Sequence, residues 1–196
     1  MTRSLQQVQA DRVPPSAWRN GGGQTRELLT RPEAGEWQLR ISLADIDRDG
    51  PFSAFPGVRR WFGVVAGAGV SLRFGNELQT LTADSSALQF DGAAAPECSL
   101  LDGPARDLNL MVRSGTALML QVHASQAWDE PCTERGLFTL CKGTLHRQGR
   151  EALLLAKHSL AWFLDSSSCR FDPQSGGGGA SAGWWLGWSP AETRLK

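Results

Sequence analysis

The sequence predicts an all-β fold, a sandwich or barrel of many short strands. Three observations predict it. Apolar and polar residues alternate with period 2 in several stretches. Turn signals recur about every eight to twelve residues. No stretch sustains the 3.6-residue period of a helix, apart from a turn or two near residues 125–135. The 22 Gly and 10 Pro in 196 residues supply the turn-formers such a fold needs. More than ten short strands is a high count for one small barrel, so two packed barrel lobes suit the length better.

The elements follow in order. Residues 1–17 read as an opening strand or loop ending at Pro14-Pro15. Residues 18–23 must be a loop, because three consecutive glycines lose too much backbone entropy to sit inside a strand. Residues 25–29 can form a short strand. Residues 37–45 alternate cleanly: Trp37, Leu39, Ile41 and Leu43 point one way, and Gln38, Arg40, Ser42 and Ala44 the other. Residues 47–51 are turn chemistry and residues 52–57 an aromatic loop. Strands are expected at 61–65 and 70–74, with a hairpin turn at Gly75-Asn76, then at 78–81, 86–90 and 98–101. Residues 107–113 alternate again, with Leu108, Leu110 and Val112 on one face and Asp107, Asn109, Met111 and Arg113 on the other. Strands at 117–123, 137–141, 152–156, 160–164 and 184–188 complete the set. Residues 166–168 and 176–179 read as low-complexity loops, the second of them mobile.

Composition narrows the function. The 20 Lys+Arg balance 20 Asp+Glu, so the chain lacks the basic excess of a general nucleic-acid binder. The longest mostly apolar run, residues 61–70, contains three glycines and falls well short of the roughly 20 residues of a membrane span. The first 12 residues are polar, with no apolar signal-peptide core. Four scattered cysteines (Cys98, Cys132, Cys141, Cys169) suit reduced thiols in a cytoplasmic protein; whether Cys132 and Cys141 pair is left open. Three isolated histidines (His123, His146, His158), with no Cys-x-x-Cys and no HExxH, predict neither a metal site nor a cofactor.

Two polar strand faces stand out. Each carries an arginine beside a small polar residue: Arg40 with Ser42, and Arg113 with Asn109. Pointed into a barrel mouth, such faces would form an anion-binding cavity, because an arginine fork matches a carboxylate and Asn or Ser adds neutral hydrogen bonds. Facing water, they would be ordinary surface. The glycines at 21–23 would either bring free backbone N–H groups close to a ligand or make a tight turn. Trp18, Arg19 and Asn20 just before them favour a contact role. Eight Trp and no Tyr suggest core or barrel-end plugs, with Trp18 set apart near a site. Trp184, Trp185 and Trp188 would make a docking edge if they were exposed together.

The segment Trp18-Arg-Asn-Gly-Gly-Gly-Gln-Thr25-Arg26-Glu27 resembles the opening signature of the bacterial HutD/Ves family. Three further blocks in order are similar to that family: residues 39–45, residues 49–57 with Arg60, and residues 107–113. The resemblance covers 18–113 well and 116–196 only loosely. It implies a bicupin, two packed cupin-like (jelly-roll) β-barrel lobes in one unit spanning 1–196. The first lobe would cover about 1–124 and the second 125–196, with strand exchange between them allowed. It implies loss of the usual cupin metal, a link to histidine utilisation, and a regulatory role sensing an intermediate such as N-formylglutamate or urocanate. The family's pocket would map onto Trp18, Asn20, Thr25, Arg40, Ser42, Phe52, Ser53, Arg60, Asn109, Met111 and Arg113. The chain departs from the family at Arg59, where Asp is common, at Leu39, where an aromatic is usual, and at Ser114, where a second Arg is common. Arg59 would make the pocket more positive.

The expected function is therefore a metal-independent binding protein for a small carboxylate, with no nucleic-acid or membrane partner; a homodimer is compatible with it. The alternative is a metal-independent enzyme acting on a small carboxylate. Glu27, Asp45 and Asp107 are the acids and bases the matched blocks offer it.

Overall fold

Alternation along the chain becomes strand after strand in the computed structural model, which describes residues 5–164, 167–174 and 181–191. The loop expected at 176–179, and Ser166 in the one at 166–168, lie outside the described residues. The strands are β1 (Gln6–Gln9), β2 (Ser16–Ala17), β3 (Gly23–Arg31), β4 (Leu39–Ile46), β5 (Gly50–Pro51), β6 (Arg59–Ala66), β7 (Val70–Phe74), β8 (Glu77–Leu81), β9 (Leu88–Asp91), β10 (Glu97–Leu100) and β11 (Ala105–Val112). They continue with β12 (Thr116–Gln121), β13 (Ala127–Trp128), β14 (Glu134–Thr139), β15 (Gly143–Arg147), β16 (Leu153–Leu155), β17 (Ser159–Phe163), β18 (Cys169–Pro173) and β19 (Gly183–Ser189). Helix among the described residues is limited to two single 3-10 turns, Ala10–Arg12 and Gly92–Ala94. The helical turn expected near 125–135 is absent, because β13 and the start of β14 occupy that stretch.

The chain forms two units. One is Val13–Ser114 and the other joins Met1–Arg12 to Gly115–Lys196. These limits differ from the 124/125 break expected from sequence. The N-terminal strand is the reason: β1 pairs antiparallel with β17, Gln6 opposite Trp162 and Gln9 opposite Ser159. The Gln9 side chain donates to the Lys157 carbonyl at 2.8 Å and accepts from the Ser159 hydroxyl at 2.8 Å. β12 likewise pairs with β19 over six residues. Pairing across such separations, Gln6 with Trp162 and Thr116 with Ser189, leaves no local trace in a sequence.

Each unit is built from two antiparallel sheets with a core between them. In 13–114 a six-stranded sheet (β2-β3-β4-β11-β6-β9) and a four-stranded sheet (β5-β10-β7-β8) enclose Ile46, Phe62, Val64, Val70, Leu72, Leu81 and Cys98. In the other unit, β1-β17-β14-β19-β12 and β13-β18-β15-β16 enclose Trp128, Leu137, Leu145, Phe163, Phe171 and Trp185. The all-β expectation holds, with one correction: the sheets face each other without closing into barrels. β15 and β18 have no counterpart in the sequence reading, since His146, Arg147 and Asp172 blur their alternation; pairing defines them, with each other and with β16 and β13.

The tryptophan edge is also corrected. Trp184, Trp185 and Trp188 are buried, because β19 lies inside its sheet between β14 and β12. All four cysteines are free, Cys132 and Cys141 included. No helix among the described residues is long and apolar enough to cross a membrane.

Candidate functional site

The two alternating strands seen in the sequence are hydrogen-bonded neighbours: β4 and β11 pair along their whole lengths, and β6 flanks β11. Register then stacks their polar faces. Arg40 lies opposite Met111, which lies opposite Arg60. Ser42 lies opposite Asn109, and Ala44 opposite Thr25, which in turn pairs with Ser16. On the same strands, Ile46, Phe62 and Val64 belong to the core between the sheets. The polar residues therefore point inward, along the same face as that core.

They line a cavity of about 540 Å³, together with Trp18, Arg19 and Asn20 of the glycine-rich loop, Ala17, and Pro51, Phe52, Ser53 and Phe55. Ten of the eleven residues expected at a pocket surround it: Trp18, Asn20, Thr25, Arg40, Ser42, Phe52, Ser53, Arg60, Asn109 and Met111. Arg113 is not brought there. β11 ends at Val112, and the Arg113 guanidinium sits over the Trp37 ring at 4.6 Å and beside Glu36 at 3.5 Å. Arg19, expected in a contact role beside the glycines, is also in the lining, and Ser16, Ala17, Ala44, Pro51 and Phe55 complete it without having been expected at a site. Alternation with Arg40 and Ser42 carried the signal for Ala44; for Ser16, Ala17 and Pro51 the sequence held none.

The loop at 18–22 holds one wall, and Gly23, expected within that loop, already opens β3 opposite Ile46. Gly21 takes a positive φ of 67°, Gly21 N–H donates to the Trp18 carbonyl at 3.0 Å, and Gly22 N–H donates to Asn20 Oδ1 at 3.0 Å. These N–H groups are used inside the turn, so the tight-turn role applies and the free-donor role does not. At Gly23 a Cβ would collide with the Asp45 carbonyl oxygen and crowd the Trp18 ring. The glycines thus let the turn close and seat Trp18, whose Nε1 donates to Thr25 Oγ1 at 2.7 Å. The opposite loop is pinned by Phe52 N–H to the Pro96 carbonyl at 3.0 Å and Phe55 N–H to the Gly92 carbonyl at 2.8 Å. Phe52 meets Trp18 edge-on at 6.4 Å.

Arg60 is the most deeply set cation of the cavity. Its Nε donates to Asn109 Oδ1 at 2.7 Å, and its guanidinium lies 4.6 Å from the Phe52 ring centre and 5.4 Å from that of Phe90. Among the described residues its two Nη groups have no hydrogen-bond partner. Burial lowers its pKa to about 10, Asp107 opposing and Arg40 adding to the shift, so it stays charged at neutral pH. Asn109 Nδ2 donates to Asp107 Oδ2. Burial pushes the Asp107 carboxyl up to about 7 against the pull of Arg60 and the Asn109 bond. Arg40 donates to Glu27 Oε2 at 2.8 Å and approaches Met111 Sδ at 3.9 Å.

Asp45 serves elsewhere. It lies on the opposite face of β4 and accepts from Arg26 and Arg106, each at 2.5 Å, and from Gln24 at 3.0 Å. Burial raises its pKa, and these three bonds outweigh burial and hold it below the usual carboxylate range. The cavity lining contains no His, Cys, Asp or Glu, and no three such side chains are grouped to hold a metal ion among the described residues. The donor set therefore does not fit the metal that cupin folds often carry.

Comparison with known proteins agrees with this architecture. A 21.2 kDa protein of the hutC 3′ region of Pseudomonas putida, itself uncharacterised, is 37% identical over 111 residues, 55% of this chain and 57% of that protein. The chain spans about half the length of the curated relatives it matches. A conserved protein of unknown function from Pseudomonas aeruginosa PAO1 superposes with a TM-score of 0.81 at 27% identity, over 95% of this chain and 99% of that one. HutD from Pseudomonas fluorescens SBW25 superposes with a TM-score of 0.80 at 23% identity and the same coverage, a likeness of fold. The HutD family model matches residues 10–179, and the chain belongs to the HutD family.

Proposed function

We propose that the cavity binds a small carboxylate, and that the protein works in the cytoplasm as a metal-independent regulator of histidine utilisation, sensing an intermediate such as N-formylglutamate or urocanate. The carrying observation is Arg60, a buried cation whose Nη groups lack protein partners and face a cavity with no acidic lining. Arg19 and Arg40 add positive charge, and Ser42, Ser53, Asn20 and Asn109 offer neutral hydrogen bonds. Trp18, Phe52 and Phe55 supply the apolar wall typical of small-molecule sites, and about 540 Å³ lies within the usual range of roughly 300–1,000 Å³. The hutC-region relative supports the histidine-utilisation link. Four free thiols support a reducing compartment.

Catalysis by the same cavity would need an acid or base within reach of the ligand. None of Glu27, Asp45 and Asp107 lines it: Glu27 holds Arg40, Asp45 is on the other face, and Asp107 lies behind Asn109. This favours binding over chemistry. Calorimetric titration with N-formylglutamate, urocanate, glutamate and formate tests the proposal. At least one should bind, and R60A should weaken it by about ten- to a hundredfold, the loss of a charge-assisted hydrogen bond of roughly 1.5–3 kcal/mol. No heat from any of the four would overturn it.

A further inference from the structure

Asp107 lies on β11 two residues from Asn109 and is 1% exposed. Arg60 Nε can only donate, so the Asn109 atom facing it must be the carbonyl oxygen. That fixes the Asn109 amide nitrogen toward Asp107 Oδ2, which must therefore accept. The other oxygen, Oδ1, is buried and has no hydrogen-bond partner. A proton on Asp107 thus belongs on Oδ1, and putting it there disturbs neither bond of the chain Arg60–Asn109–Asp107.

The charges around this carboxyl are few. Arg60 approaches from β6 and Asp45 acts through β4. Cys98 on β10 lies near enough that the Asp107 charge, after burial, helps push its thiol up to about 12, so it stays neutral. Arg40, on β4, acts on Arg60. Asp107 is therefore the titratable counter-charge of Arg60. A ligand carboxylate arriving at the free Nη groups would give Arg60 a second anion in a poorly solvated site, where like charges repel strongly.

We propose that a carboxylate binds at Arg60 together with one proton, which rests on Asp107 Oδ1, making Asp107 the residue that couples binding at this cavity to pH. The inference rests on the carboxylate reading of the site. Asp107 touches no ligand; it acts through Asn109 and through the charge of Arg60. Its raised pKa, about 7, places the coupling in the physiological range. Proton balance is simple: anion and proton enter from solvent, and both leave on release.

Formate and N-formylglutamate suit the test, because their carboxyl groups stay ionised from pH 6 to 9. Calorimetry of the full chain in two buffers of different ionisation enthalpy should show net proton uptake on binding at pH 8. The Kd should weaken by up to about tenfold per pH unit above about 7. D107N copies the protonated carboxyl, so it should bind without proton uptake and with a Kd flat from pH 6 to 9. If the wild-type chain binds either probe with no proton uptake and a flat Kd, the coupling is overturned and the carboxylate site stands. If neither probe, urocanate nor glutamate binds at pH 6, the carboxylate site itself fails and the coupling with it. The wild-type measurement decides the matter even if D107N does not fold.

Discussion

The two units share a plan, a larger antiparallel sheet facing a smaller one, and differ in what fills the space between. In the unit containing 115–196 the described core between the sheets is aromatic and aliphatic. Trp128 stacks on Trp185 at 4.9 Å and 12°, with Phe163, Phe171, Leu137, Leu145 and Leu155 buried around them. That interior also holds an arginine, Arg135, 1% exposed and placed over Trp128 at 5.1 Å. Its Nη groups donate to the backbone carbonyls of Ser167 and Glu130. In 13–114 the corresponding cation, Arg60, also lies against aromatic rings, but its Nη groups face a cavity. A buried arginine is therefore not by itself a sign of binding. What separates a structural arginine from one available to a ligand is whether backbone carbonyls have already taken its donors.

Mutations can break this contrast from either side. The largest effect should come from the aromatic core: W185A removes a stacked, buried ring and should lower unfolding free energy by about 3–5 kcal/mol in urea denaturation. Filling the cavity of 13–114 is the reverse experiment. S42F places a ring in the cavity and should abolish carboxylate binding, a loss above about a hundredfold by calorimetry. It should move stability by under about 1 kcal/mol, because space already exists there. R60A should weaken binding by about ten- to a hundredfold, whereas R135A should leave binding intact and lower stability by roughly 1–3 kcal/mol through orphaned carbonyls.

Charge sharpens the comparison further. The raised pKa of Asp107 means that the native state binds its proton more tightly than the unfolded chain does, so its contribution to stability is lost as pH rises through about 7. D107N should accordingly gain stability over the wild type at pH 8 and lose that advantage as pH falls toward 4, read from urea midpoints. Asp45 runs the other way. Its lowered pKa gives stability that is present near neutral pH and lost as pH falls below the ordinary carboxylate range. The smallest effect belongs to E27Q. Glu27 is about half exposed, so releasing Arg40 from it should tighten carboxylate binding by only about two- to fivefold and change stability by under about 1 kcal/mol.

Much of the site was legible because it is written on strands. Arg40, Ser42, Asn109 and Met111 fall on polar faces of two clean alternations, and period 2 assigns each to a side without knowledge of the partner strand. Arg60, Phe52 and Ser53 came from resemblance to the HutD/Ves blocks, since a loop and an irregular strand start carry no period. Arg113 shows where alternation fails. It continues the pattern by one residue, but the strand stops at Val112 and the side chain turns to Trp37 and Glu36. Asp107 shared the inward face with Asn109 from the start, yet its burial and its missing partner depend on the strands across from it.

The sequence by itself determined the all-β class, the strands at 37–45 and 107–113, the turn at the three glycines and the absence of a metal-binding motif. These rest on local chemistry: side-chain period, backbone freedom at glycine, and the spacing of ligating residues. Only the tertiary structure decided that β1 belongs with the distant 115–196 unit, that a cavity opens inside 13–114, and that Arg60 rather than Arg113 meets it. Each of those depends on which strands pair and in what register, and register is set by contacts between residues far apart in the chain.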